Sequence, residues 1–85
     1  MISPIFEGDA WDEYLYWQTQ DKRTLKKINA LIKDILRSPY AGLGHPEPLK
    51  HDREGYWSRE IDRFNRLVYK VEGDFLYISQ CKDHY

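Results

Sequence analysis

The sequence predicts an α+β domain: two N-terminal helices packed on a small, mainly antiparallel β-sheet. Three observations carry that expectation. Leu25, Ile28, Leu31, Ile32, Ile35 and Leu36 recur at helical spacing and make one apolar stripe. Leu67, Tyr69 and Val71 alternate with Arg66, Val68 and Lys70, the period of a strand with one face for a core and the other for solvent or a ligand. Glu72-Gly73-Asp74 then separates two strand-like runs, as a short hairpin turn does.

Taken in order, Ile2–Phe6 is a short apolar stretch suited to a strand, and Pro4 within it suggests an edge or a first position. Gly8-Asp9 offers a break and an N-cap, and Asp12 and Glu13 suit the positive end of a helix dipole. Trp11, Tyr14, Leu15 and Gln18 would share one face of this first helix. A second helix begins near Asp21, ends at Ser38-Pro39 and is close enough to the first to form an antiparallel hairpin with it. Residues 39–48 hold two glycines and three prolines, which argues against regular structure and for a constrained loop presenting Glu47 between Pro46 and Pro48. Strands are expected over 56–61, 65–71 and 75–81.

Eighty-five residues make one domain, residues 1–85, with a modest core. Three Trp, seven Tyr and three Phe are more aromatics than that core needs, so some are available to a partner surface. Thirteen basic and fourteen acidic side chains nearly cancel, which argues against a free-standing binder of naked nucleic acid. The charge is uneven, however. No Lys or Arg precedes Lys22, whereas Lys22, Arg23, Lys26, Lys27 and Lys33 follow within one helix without an intervening acid. The single cysteine, Cys81, excludes an intramolecular disulfide framework and suits a reducing, cytoplasmic setting. No apolar run is long enough to span a bilayer and no signal-peptide pattern opens the sequence, so no membrane partner is expected.

No His-x-x-x-His pair, Gly-rich phosphate loop or Cys-x-x-Cys motif is present. Cys81 reads as a buried structural cysteine, and His45 and His51, without metal-ligand partners at useful spacing, as polar loop residues. What remains is Glu47 in the constrained loop, Lys50 after it, Arg59 and Arg66 on strands, and His84 with Tyr85 at the end of the sequence. Each has a plain structural reading: a loop acid, a surface charge, solvent-facing sheet residues, an aromatic end closing a core. Together they match the needs of RNA cleavage by internal attack. There the substrate's 2′-hydroxyl is the nucleophile, and the protein supplies a base, an acid and fixed positive charge.

The stretches W-D-E-Y-L-Y-W, D-K-R-T-L-K-K-I-N-A-L-I-K-D, G-H-P-E-P-L-K-H, Y-W-S-R, R-L-V-Y and the final H-Y closely resemble the YoeB toxins of the RelE/ParE superfamily, collinearly over residues 10–85. The resemblance implies a microbial-RNase-like fold and a ribosome-dependent endoribonuclease of a type II toxin–antitoxin system. Such a toxin cuts mRNA in the A site of the 70S ribosome without a metal or cofactor. It also implies Glu47 as general base, His84 as general acid, Arg66 at the transition-state phosphate and Tyr85 positioning mRNA. Lys50 and Arg59 would then bind substrate near the scissile phosphate. A YefM-like antitoxin and a homodimer are the partners it implies. Docking on rRNA needs only a local basic patch, for which the Lys22, Arg23, Lys26, Lys27 and Lys33 cluster is the candidate. Leu43, His45, Glu60 and Asn65 depart from the family pattern, mostly toward less positive charge. The alternatives are a non-catalytic, ParE-like gyrase-poisoning toxin and a ribosome-binding module that does not cleave.

Overall fold

The computed structural model describes residues 3–85 and has the expected class, with two helices packed on a five-stranded mixed sheet. Strand β1 spans Ser3–Phe6; Ile2, expected in the same strand, lies outside the described residues. Helices α1 (Ala10–Gln20) and α2 (Lys22–Arg37) follow, then a two-residue strand β2 (Glu47–Pro48) and a single 3-10 turn at His51–Arg53. Strands β3 (Trp57–Glu60), β4 (Arg66–Glu72) and β5 (Phe75–Gln80) complete the chain. The sheet order is β1-β5-β4-β3-β2, with β1 parallel to β5 and every other pair antiparallel. Pro4 and Pro48 therefore both sit on edge strands, where a missing N–H breaks no central ladder.

Asp21 forms the whole joint between the helices. Its N–H donates to Trp17 O at the end of α1, while its carboxylate accepts from Arg23 N at 3.1 Å and Thr24 N at 3.2 Å at the start of α2. The helices fold back on one another, and Tyr14 Oη donates to Asn29 Oδ1 at 2.7 Å across the gap. The α2 stripe buries as expected: Ile28, Leu31 and Ile35 are fully enclosed, with Leu25, Ile32 and Leu36 packed at the margin. None of Trp11, Tyr14, Leu15 and Gln18, which share one face of α1, is fully buried. Ala10 and Trp17 are its buried residues, Trp11 and Leu15 are 49% and 37% exposed, and Gln18 is also exposed. The polar contacts of Trp17 and Glu13 decide this rotation. Trp17 Nε1 donates to Cys81 O at 2.8 Å, and Glu13 Oε1 accepts from Cys81 N at 2.8 Å, so α1 is keyed to the residue just after β5.

The loop of residues 39–48 is also corrected, because Glu47–Pro48 pairs with β3 as a strand, Glu47 opposite Ser58. The rest of that segment is irregular and held from within. Buried Arg59 donates from Nη1 to Asp34 Oδ2 at 2.6 Å and to Leu43 O at 2.9 Å. From Nη2 it donates to Ser38 O at 2.7 Å and Ala41 O at 3.1 Å, and from Nε to Tyr69 Oη at 3.2 Å. Tyr69 Oη in turn donates to Pro39 O at 2.6 Å. Gly42 crosses this network at φ +121°, where a side chain would be strained and its Cβ would collide with the Asp34 carboxylate.

Candidate active site

Period-two alternation on β3 decides which side chains reach the site. Arg59 pairs with Leu67, and Trp57 with Tyr69, on the face that meets the helices. Ser58 and Glu60 point to the other face, opposite Val68 and Arg66. Arg59 is therefore corrected from a substrate contact to a core residue: its side chain is 0% exposed and all its donors are satisfied within the protein. The N–H of Leu43 and the Arg59 guanidinium hold the Asp34 carboxyl down to a pKa of about 2, so Asp34 is ionised near neutral pH.

The far face of the sheet is not simply solvated either, since Val68 is fully buried there. The residues after β5 turn back across it. Gln80 Nε2 donates to Lys82 O and Asp83 O, each at 3.0 Å; Asp83 N donates to Asn65 Oδ1 at 2.7 Å; and Arg66 N donates to Asp83 O at 3.0 Å. Asp83 takes a left-handed conformation, φ +66°, at this reversal. The tether delivers His84 and Tyr85 to the strand face. Arg66 Nε donates to His84 Nε2 at 3.3 Å, and His84 Nδ1 lies 3.2 Å from Tyr85 O. Tyr85 Oη donates to Glu47 Oε1 at 3.0 Å and lies 3.3 Å from Ser58 Oγ.

The structure thus brings Glu47, Arg66, His84 and Tyr85 into one cluster, although they come from two different strands and the last residues. Lys50 lines a pocket that Tyr85 also walls, at the edge of this cluster. Lys22, Arg23, Lys26, Lys27 and Lys33 are all exposed on α2 and form no part of it. Arg23 and Lys27 instead border a separate hollow with Thr24, Ile61 and Asp62. Ser58, Asn65 and Gln80 are site-building residues that sequence reasoning missed. Only the strand register, which sets Ser58 opposite Glu47, could have singled out the first. Cys81 is buried as expected; burial pushes its thiol up to about 12, and Sγ faces Ala10 O at 3.6 Å. His45 is an exposed loop residue with φ +53°, and His51, also exposed, opens the 3-10 turn at φ +60°.

With this geometry in hand, comparison with known proteins is specific. The family model described as "YoeB-like toxin of bacterial type II toxin-antitoxin system" matches residues 6–85. The chain belongs to the YoeB toxin family. Toxin YoeB of Escherichia coli K12 is 56% identical over 81 residues, covering 95% of this chain and 96% of that protein. A YoeB/ParE toxin from Agrobacterium tumefaciens superposes with a TM-score of 0.97 at 46% identity, covering 99% of this chain and all of that one. YoeB of Staphylococcus aureus, solved in a heterotetrameric complex with YefM, gives 0.91 at 42% identity, covering 100% and 99%. The same toxin has also been solved as a dimer. The type II toxin family and the α+β fold expected from sequence are both borne out.

Proposed function

We propose that this YoeB-family toxin is a ribosome-dependent endoribonuclease that cleaves mRNA in the ribosomal A site by metal-independent attack of a 2′-hydroxyl. The observation that supports it is the joined pair of contacts, Tyr85 Oη to Glu47 and Arg66 Nε to His84, which gathers an acid, a base and a fixed cation on one strand face. Glu47 takes the 2′-hydroxyl proton as oxygen attacks the adjacent phosphorus. Arg66 neutralises the crowded equatorial oxygens. His84 protonates the departing 5′-oxygen, leaving a 2′,3′-cyclic phosphate. Acid and base steps of this kind each supply roughly 10²–10⁴-fold. The Tyr85 hydroxyl, which occupies Glu47 in the free protein, moves to the substrate phosphate, and its ring stacks on a base. Lys50 adds positive charge at the same edge.

The exposed cations of α2 are the part of the toxin that meets rRNA, delivering a nearly neutral protein to its substrate. A YefM-like antitoxin and a homodimer are the partners this reading adopts, by analogy with the S. aureus proteins. A cytoplasmic site of action goes with them. The deciding experiment maps cleavage on translating ribosomes with wild type and with Glu47→Ala and His84→Ala. Cutting at the A-site codon that both substitutions abolish is the expected result. A toxic protein that leaves mRNA intact, or toxicity that survives both substitutions, would transfer the assignment to a non-cleaving binder of the ParE kind.

A further inference from the structure

The last residues reach the strand face on a short lead, and both ends of that lead are fastened. On the sheet side Asn65, Gln80 and Arg66 N hold Asp83. On the helix side α1 holds Cys81. Strand β1 ends at Phe6, opposite Ile78, so the backbone past β5 has no strand beside it on that edge and takes side chains instead. Glu13 Oε1 accepts from Cys81 N at 2.8 Å, Trp17 Nε1 donates to Cys81 O at 2.8 Å, and the Tyr16 ring lies 4.9 Å from the Lys82 ammonium. Cys81 is fully buried, so its N–H needs an acceptor from within the protein.

Only Lys82 and Asp83 separate Cys81 from His84. His84 is exposed, and among the described residues its side chain meets only Arg66 Nε at 3.3 Å, Tyr85 O at 3.2 Å and the Tyr85 ring. So few contacts do not set the place of a side chain, and the backbone leading to it must. The charge of Glu13 does not serve the stability of the fold. Burial raises its pKa above the ordinary carboxylate value, against the Cys81 N–H, which lowers it. Of the charged groups around it, Asp83 and Asp9 raise it further and Lys82 lowers it. A group whose folded pKa is raised stabilises the fold in its protonated form, and that contribution is lost as pH rises through the folded pKa. The ionised side chain is therefore a cost the fold bears, while its hydrogen bond to the amide is charge-assisted and correspondingly strong.

We propose that Glu13 is a positioning residue for the endoribonuclease. Through the Cys81 amide it sets the direction in which the backbone leaves β5, and so places His84 beside Arg66 and Tyr85 against Glu47. The inference rests on the endoribonuclease reading and adds to it a residue that touches no substrate. An error of about 1 Å in placing reacting groups is enough to lower a rate about 10²-fold. Glutamine can accept from the same N–H, and alanine cannot.

The test compares Glu13→Ala and Glu13→Gln in the full chain. On programmed ribosomes kcat and KM are measured well below either melting temperature, and the His84 ring is followed by NMR in the free proteins. Glu13→Ala is expected to lower kcat about tenfold or more with KM unchanged, and to move the His84 ring signals toward those of an unstructured histidine. Glu13→Gln is expected to return both to wild type and to melt no lower than wild type. Should the alanine variant fail to fold, Glu13→Met, similar in length but without a strong acceptor, takes its place. Unmoved His84 signals or an unchanged kcat overturn the proposal, as do equal losses in the alanine and glutamine variants. A wild type that never cuts mRNA, while Glu13→Ala still frees His84, fails the nuclease reading and keeps the anchor. A wild type that cuts, with Glu13→Ala cutting equally well, keeps the nuclease and loses the anchor.

Discussion

Replacing Arg59 by Met is the sharpest test of the assignment of that residue to the core. The methionine fills most of the volume, so the loss is electrostatic and not a cavity. Five donations disappear, leaving Asp34 Oδ2 and the carbonyls of Leu43, Ser38 and Ala41 without their buried partner. Removing one member of a buried ion pair costs about 3–5 kcal/mol. In a domain of this size each kcal/mol moves Tm by about 4–8 °C, so a fall of at least about 12 °C is expected in a thermal melt followed by circular dichroism. Adding Asp34→Leu should recover only part of that loss, because the three carbonyls stay unpaired. Arg66→Met is the matched control. Its side chain is partly exposed and its partners are His84 and, at 4.0 Å, Glu60, so its melt should stay within about 4 °C of wild type while cleavage is lost. An Arg59→Met protein that melts with wild type but fails to cleave would refute the reasoning and return Arg59 to the substrate.

Glu47→Ala and His84→Ala should each lower single-turnover cleavage on ribosomes by about 10²-fold or more with little change in Tm. Deleting His84 and Tyr85 together should leave a folded, inactive protein, because the tether runs through Asp83, Asn65 and Gln80; a loss of cooperative melting would show that the pair also holds the fold. Asp34 has a folded pKa of about 2, below the ordinary carboxylate value. Its share of stability is therefore complete above about pH 4 and lost as pH falls toward 2, and Asp34→Asn should flatten the acid arm of a stability–pH curve over that window. Reversing Lys22 and Lys26 to Glu should weaken ribosome binding and reduce its salt dependence, measured by co-sedimentation at two ionic strengths; unchanged binding would remove α2 from the rRNA contact.

The parts of the fold set by local periodicity were readable from residues alone. The α2 stripe, the β4–β5 hairpin around Gly73 and the Asp21 boundary each depend on neighbours a few positions away. Those that failed depend on distant partners. The face of α1 is chosen by Trp17 and Glu13 reaching Cys81, more than sixty residues on, and Trp11 is left exposed although its aromatic ring argues for burial. The strand at Glu47–Pro48 exists because β3 offers an edge, which no feature of a Gly- and Pro-rich segment announces.

The candidate site divides in the same way. Residue types and the family motif pointed to Glu47, Arg66, His84 and Tyr85, which the fold brings into one cluster, but did not separate Arg59 from them. An arginine in a strand has two possible faces, and only register tells them apart. The alternation of Leu67 and Tyr69 with Arg66 and Val68 was already visible in β4, and pairing Arg59 with Leu67 carries that alternation across to β3. Once made, the pairing does two things at once. It turns the Arg59 guanidinium inward to fasten the segment leading to Glu47, and it turns Ser58 and Glu60 outward beneath the returning tail. The charge that builds the loop and the charge proposed to meet the phosphate are therefore on opposite faces of one thin sheet. Substitutions at the two arginines should accordingly separate stability from catalysis.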